Sequence, residues 1–296
     1  MRALSSVLIL APLVLSSCGG DDPTKPKPPA QGQIVFSSYG ADSTNFTHLF
    51  IINADGTGLR QLTADSLNDR FPRWSPDGTK IAFTRSYGPN RDSVDVSVMG
   101  ADGKNIVRLT VDAYLDEFPS WSPDGTQIAF QRTDLLVSDI WVVNADGTNP
   151  HMIMRADSAN SARDITWTSQ NTLLGADTYG IDLQLAPTST RLTRILDLFP
   201  INSAQPRLSP SSDVIAFAWE GPNANEGPYV YTVKVDGSGM KQISNLRDRT
   251  PVWSPDGSRI AFQRDSRIWI MASSGANPVQ LTTRTTPGAD NPGDWK

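Results

Sequence analysis

A single cysteine in 296 residues, Cys18, excludes an intrachain disulfide. Two histidines, His48 and His151, leave little material for a histidine-ligated zinc site or a histidine-dependent hydrolase. A basic excess is missing as well. Lys and Arg number 26 against 31 Asp and Glu, a formal charge of −5, so nothing points to nucleic acid, which needs a basic face. No Gly-x-Ser-x-Gly elbow is present, and no stretch beyond the N-terminus shows a helical hydrophobic period. What remains is 38% hydrophobic and 19% charged, enough to build a core.

The one long apolar run is residues 3–15, "ALSSVLILAPLVL", behind a short basic start at Arg2. Its length suits a secretory signal and is too short to span a membrane. It ends in Leu15-Ser16-Ser17-Cys18, which resembles the lipobox of bacterial lipoproteins, where cleavage leaves a cysteine that carries acyl chains. Ser17 stands where Gly or Ala is usual. Several acyl chains on Cys18 anchor stably where one would not. Loss of residues 1–17 removes Arg2 and takes the formal charge to −6. Residues 18–32, rich in Gly, Pro, Asp and Lys, read as a tether rather than a domain. Gly19 after the cysteine resembles lipoproteins sent to the outer membrane, and Asp21-Asp22 resembles the surface-export signals of some bacteria.

Residues 33–296 repeat. "RWSPDGTKIAF" (73–83) returns as "SWSPDGTQIAF" (120–130) and "VWSPDGSRIAF" (252–262). Trp74, Trp121, Trp167, Trp253 and Trp295, with Leu208 in the matching place of "PRLSP", form one column spaced by 41–47 residues. A second column is the apolar triplet ending at Phe36, Phe83, Phe130, Leu174, Phe217 and Phe262. A third pairs a hydrophobe with Thr or Ser at Leu62, Leu109, Leu192, Ile243 and Leu281, with Ile153 as a degenerate member. Six copies at this period predict six four-stranded blades of a β-propeller. Alternating, β-branched and aromatic strands are joined by "SPDG" and "ADGT" turns, whose Pro and Gly preset the required φ angles. The chain begins on the second strand of a blade and ends on a Trp strand. The last strand, with Trp295, is therefore expected to complete the first blade and close the ring.

These "D..P.WSPDG..IAF" units resemble TolB-type (PD40) propeller repeats over nearly the whole expected mature chain. The N-terminal α/β domain of that family is missing, and a tether stands in its place, so the segment that engages Tol partners is not carried over. Similar repeats occur in prolyl-oligopeptidase-like enzymes, which place their nucleophile on a separate domain absent here.

The motif residues carry little chemistry. Ser75, Ser122 and Ser254 sit inside repeated turns without an accompanying histidine. Asp55, Asp102, Asp146 and Asp236 each supply one acid to a hairpin, unlike a calcium loop with its alternating ligands. Some propeller lyases of oligogalacturonate share "WSPDG" units but use several histidines on a metal; His48 and His151 do not make that set. No cofactor, no metal and no catalytic residue is expected.

Strand parity puts the uniform "SPDG" and "ADGT" turns at one end of the propeller. The irregular loops 86–94, 133–139, 155–164, 195–205 and 220–228 lie at the other, the end expected to recognise a partner. Six charged residues precede the repeat proline there: Asp69, Arg70, Asp116, Glu117, Asp248 and Arg249. The aspartates have a simpler role open to them, pairing with Arg85, Arg132 and Arg264 of the "IAFxR" strands, which makes Arg70, Glu117 and Arg249 the better contacts. Tyr87 and Phe199 are candidate aromatic anchors. The expectation is a monomeric, non-catalytic outer-membrane lipoprotein binding an envelope protein or peptide. Carbohydrate recognition or lyase-type breakdown is the alternative, and a purely structural envelope module the third.

Overall fold

In the second strand of most repeats, one face carries Ile and Phe and the other begins with a small Ala or Val, and a propeller buries both faces because each blade lies between two others. A computed structural model describes residues 32–40, 45–87, 93–134, 137–155, 163–176, 180–184, 192–198, 205–221, 227–283 and 288–296. The strand Lys80–Tyr87 has this two-sided burial, and Phe83, Phe130, Phe217 and Phe262 of four such strands are fully buried.

The described strands fall into six antiparallel units of four, the second and third joined into one sheet by a single parallel bridge between Val94 and Leu115. The innermost strands are Ala289–Trp295, Asn68–Trp74, Leu115–Trp121, Arg163–Trp167, Arg207–Leu208 and Asp248–Trp253, and together they wall the central channel. Six hydrophobic clusters fill the gaps between neighbouring blades, from the one joining Val35 and Leu49 to Trp74 and Phe83 through to the one joining Val252 and Ile268 to Ile34 and Trp295. The core is thus a ring of interfaces rather than one central mass.

The expected closure is present. Ala289–Trp295 pairs antiparallel with Gln33–Tyr39, from Ile34 opposite Trp295 to Tyr39 opposite Ala289. The last strand then lies so close to the second blade that a Cβ on Gly293 would stand 2.5 Å from Pro72 Cγ and 2.6 Å from its carbonyl oxygen. Only glycine fits there. Trp295 is buried, as a structural residue should be.

One repeat column is reassigned. The "ADG" glycines abut the preceding blade's third-column residue: a Cβ on Gly103 would meet the Leu62 carbonyl oxygen at 2.8 Å, and one on Gly237 would meet that of Ile195 at 2.6 Å. Ile195, not Leu192, therefore holds the column position in the fourth blade, because its outer strand runs on to Asp197. Residues 1–31, including the signal, Cys18 and all but the end of the tether, lie outside the described residues, as does Phe199.

Candidate functional site

The "SPDG" serines and aspartates satisfy one another. Ser75 Oγ donates to Asp77 at 2.6 Å and accepts the Lys80 amide at 2.9 Å, while Asp77 also accepts the Thr79 amide at 3.0 Å. The same knot recurs at Ser122 with Asp124 and at Ser254 with Asp256. Hydrogen bonds from Ser75 and Thr79 hold the Asp77 carboxyl down at about 2. These residues build hairpins, as the repetition implied.

At the opposite end, Asp69, Asp116 and Asp248 have no exposed surface. Each accepts a two-pronged bond from the arginine of its own blade's second strand: Arg85 at 2.7 and 2.8 Å, Arg132 at 2.8 and 2.7 Å, Arg264 at 2.7 and 2.7 Å. In the first blade Asp290 takes this place, bonded by Ser38 and by Thr282 of the preceding blade. The three aspartates are thus corrected from partner contacts to pieces of the channel wall. Burying them is tolerable only because the bidentate fork supplies the missing solvation.

Asp95, Asp112 and Asp116 bring oxygens within 4.8 Å of one another, a spacing a cation would accept. Arginines already fill it: Arg108 reaches Asp95 at 2.7 Å, and Arg132 reaches Asp112 at 2.5 Å and Asp116 at 2.7 Å. His48 is buried in the first blade, whereas His151 is exposed in the third.

Arg70, Glu117 and Arg249 follow those aspartates in the inner strands, and Arg70 lines the cavity at this end. Arg70 and Arg249 are exposed and make no ion pair with a described residue; Glu117 is half-buried. Burial pushes the Glu117 carboxyl above the ordinary carboxylate value, and the nearby Arg70 opposes that shift.

The residues next in line were not singled out by the sequence. Phe71, Phe118, Asp164, Gln205 and Thr250 occupy equivalent places, and all have positive φ, between 39° and 57°. Five of the inner strands carry one extra residue here, between Arg70 and Arg73, Glu117 and Ser120, Arg163 and Thr166, Arg249 and Val252, and Pro292 and Asp294. These are β-bulges, which re-aim side chains. Phe71 and Phe118 turn toward each other, ring centroids 4.2 Å apart, both half-buried. Tyr39, 46% exposed, lines the same mouth. Tyr87 is no free anchor: it bonds Ser97 and lies under Arg108, whose guanidinium is 4.3 Å from the ring centre. A repeated departure from register is hard to see in a sequence; the aromatic-Pro pairs Phe71-Pro72 and Phe118-Pro119 were the available hint.

Among the described residues, two cavities open along the channel. One of about 260 Å³ lies at the irregular end, walled by Tyr39, Arg70, Phe71, Gln205 and Thr250 among others. The larger, about 410 Å³, opens at the "SPDG" end under Trp74, Trp121, Trp167 and Trp295. The sequence pointed away from that end. Arg73 and Arg207 line both cavities and form the waist between them.

No protein-family model matches the chain, and no curated protein matches it. Solved structures do. TolB from Acinetobacter baumannii superposes with a TM-score of 0.75 at 18% identity, covering 90% of this chain and 67% of that one. A protein described as a TolB from Agrobacterium tumefaciens gives 0.67 at 18% identity, covering 88% and 91%. An oligogalacturonate lyase in complex with manganese gives 0.52 at 17% identity, covering 86% and 74%. The chain folds as a TolB-like β-propeller.

Proposed function

We propose that this protein is a non-catalytic cell-envelope lipoprotein, anchored through Cys18, whose propeller binds a protein or peptide segment at the irregular mouth of its channel. The observation that carries this reading is the mouth itself. An aromatic pair, Phe71 and Phe118, is presented on bulged backbone and flanked by Arg70, Glu117 and Arg249. Rigid aromatic anchors with charges of both signs around them are the usual makings of a protein-binding hot spot. The fold likeness to TolB propellers supports the same direction.

Placement of the N-terminus adds to it. Gln33 donates its amide to the Lys296 carbonyl, so residue 32 leaves the domain at the "SPDG" end. A tether from Cys18 then joins the domain at the end opposite the mouth, so that anchoring and partner binding use different ends, on the periplasmic side or at the cell surface.

The test is an affinity pull-down from envelope extract with the wild-type protein beside Phe71→Ala and Arg70→Glu. A partner held by the wild type and lost from both variants is expected. Recovery of no protein, beside measurable oligosaccharide binding, would favour the carbohydrate reading, which the likeness to the lyase fold and the mouth aromatics also suit. Cys18→Ala should release the protein from the membrane fraction; retention there would remove the anchor from the proposal.

A further inference from the structure

Apart from the exposed Arg70 and Arg249, the arginines with described side chains on or beside the inner wall of the channel fall into two groups. Arg85, Arg132 and Arg264 each have a buried aspartate held by two bonds. Arg73 and Arg207 have no such fork: neither makes an ion pair with a described residue within 4 Å, and Asp294 and Asp164 act on Arg73 only from further off. Yet Arg73 is 7% exposed and Arg207 only half-buried. Buried guanidinium groups are normally paired, so two that are not call for a reason.

Their geometry is shared. Both follow a proline in an inner strand, both come after a residue of positive φ (Phe71 and Gln205), and they stand on the second and fifth of the six blades, across the ring from one another. Each donates Nη1 to the carbonyl of the proline before it, Pro72 at 3.2 Å and Pro206 at 2.9 Å, which fixes the plane of the guanidinium. Arg73 Nη1 also reaches the Gly293 carbonyl and so helps to clasp the closing strand. In both residues Nε is buried with no partner among the described residues, and Nη2 bonds to none of them. At the equivalent position of the other blades stand Asp294, Ser120, Thr166 and Val252, so the two cations are a local feature and not part of the repeat.

We infer that Arg73 and Arg207 form a carboxylate-binding site at the waist of the channel, reached from the larger cavity at the "SPDG" end. The inference goes beyond the partner-binding mouth and uses the opposite opening. A fixed, planar fork with a free edge matches a carboxylate. Charge selects the same group over phosphate. Asp294, in the wall of that cavity, accepts the amides of Trp74 and Trp295 at 2.9 Å, and it and the buried Asp164 both act on Arg73, so the opposing charge falls on Arg73 rather than on Arg207. A singly charged anion suits the remaining Arg207 charge, whereas a doubly charged phosphate would meet the repulsion of both Asp294 and Asp164. The carboxylate belongs either to a free small acid or to the end of an acidic peptide.

Trp74, Trp121, Trp167 and Trp295 line the cavity and report on its occupancy through their fluorescence. The experiment titrates the folded protein at low salt, by fluorescence and by calorimetry, with acetate, with glutarate, with a short peptide and with the same peptide amidated at its C-terminus. Inorganic phosphate and chloride are the controls. Saturable binding of a carboxylate probe, weakened about tenfold or more in Arg207→Met, is expected, since a bond to a charged group is at stake. Response to acetate or glutarate identifies a free acid, and response only to the free-carboxyl peptide identifies a chain end. Arg207 is the chosen position because Arg73 also holds the closing strand. Should Arg207→Met not fold, Arg207→Lys, which keeps the charge without the fork, must bind more weakly than the wild type. No saturable signal from any carboxylate, an equal response to phosphate, or unchanged affinity in the arginine variants would overturn the inference.

Discussion

At the "SPDG" end, Gly78, Gly125 and Gly257 take the left-handed positions that the turns require, with φ of 71°, 71° and 69°. At the mouth, two phenylalanines, a threonine, a glutamine and an aspartate do so, most of them directly before a proline. The same six inner strands connect these two ends. One end has been supplied with the residues its backbone wants, and the other holds unsuitable residues in place through the packing around them. Left-handed φ costs a non-glycine residue roughly 1–2 kcal/mol, and the residue before proline is restricted further. Strain of this kind persists where the surrounding structure over-determines it, and it gathers at functional sites. The contrast therefore favours the irregular end as the partner surface, with the buried Asp–Arg forks as what holds it in shape.

The forks offer the largest effect by which that contrast can be broken. Asp116→Ala leaves Arg132 buried against Trp141, 4.4 Å from its ring centre, with one carboxylate fewer to meet it. Removing one member of a buried pair costs about 3–5 kcal/mol, although Asp112, which also touches Arg132, softens the loss. Denaturant unfolding should show a drop in this range for Asp116→Ala and only a few tenths of a kcal/mol for Arg70→Ala, whose side chain is exposed. Equal small losses would mean that the forks do not hold the mouth.

How much of this was legible follows from what kind of signal each part leaves. Trp, Phe and Asp-Gly recur at fixed spacing because every blade needs them, and that exposed the blades, the closure through Trp295 and the turn role of Ser75, Ser122 and Ser254. The pairing of Asp69 with Arg85 was readable too, since both recur in register. Positions where the blades differ left no such trace. Ile195 was displaced by a longer outer strand, and Leu192-Thr193 mimicked its pattern. Arg73 and Arg207 sit in a column that holds four other residue types, so repetition could not mark them. The bulges run against local preference, since Phe and Thr do not seek positive φ, and only the inter-strand register reveals them.

Titration sharpens the comparison with a smaller effect. Hydrogen bonds lower the carboxyls of Asp77, Asp124 and Asp256 at the "SPDG" end, Asp77 to about 2, from an ordinary value of 3.8. Such groups stabilise the fold above their unfolded value, and the contribution is lost as pH falls from there through the lowered one. Glu117 at the mouth is raised above 4.5 by burial. Its sign is opposite: the folded state holds the proton more tightly, so stability falls as pH rises from 4.5 through the raised value. Carboxyl-resolved NMR should find Glu117 titrating above that point while Asp77 is still ionised near pH 3. Partner binding that uses the Glu117 charge should weaken as pH falls through its raised value and become flat in Glu117→Gln.

The smallest expected change in stability carries the most information about the mouth. Phe71→Gly relieves a φ of 53°, a gain of about 1–2 kcal/mol, and gives up the contact with Phe118, about 0.5–1.5 kcal/mol, along with a half-buried ring. These terms oppose one another, so the unfolding midpoint should move far less than for Asp116→Ala. Gly125→Ala at the other end has no such compensation, because it forces an L side chain into φ of 71° in a turn that already suits glycine, and it should destabilise by about 1 kcal/mol or more. If the strained phenylalanine is kept for recognition, Phe71→Gly loses the partner with only a modest change in stability. A clear fall in stability with binding retained would show instead that Phe71 is a packing residue, and the two ends of the propeller would then differ in sequence but not in purpose.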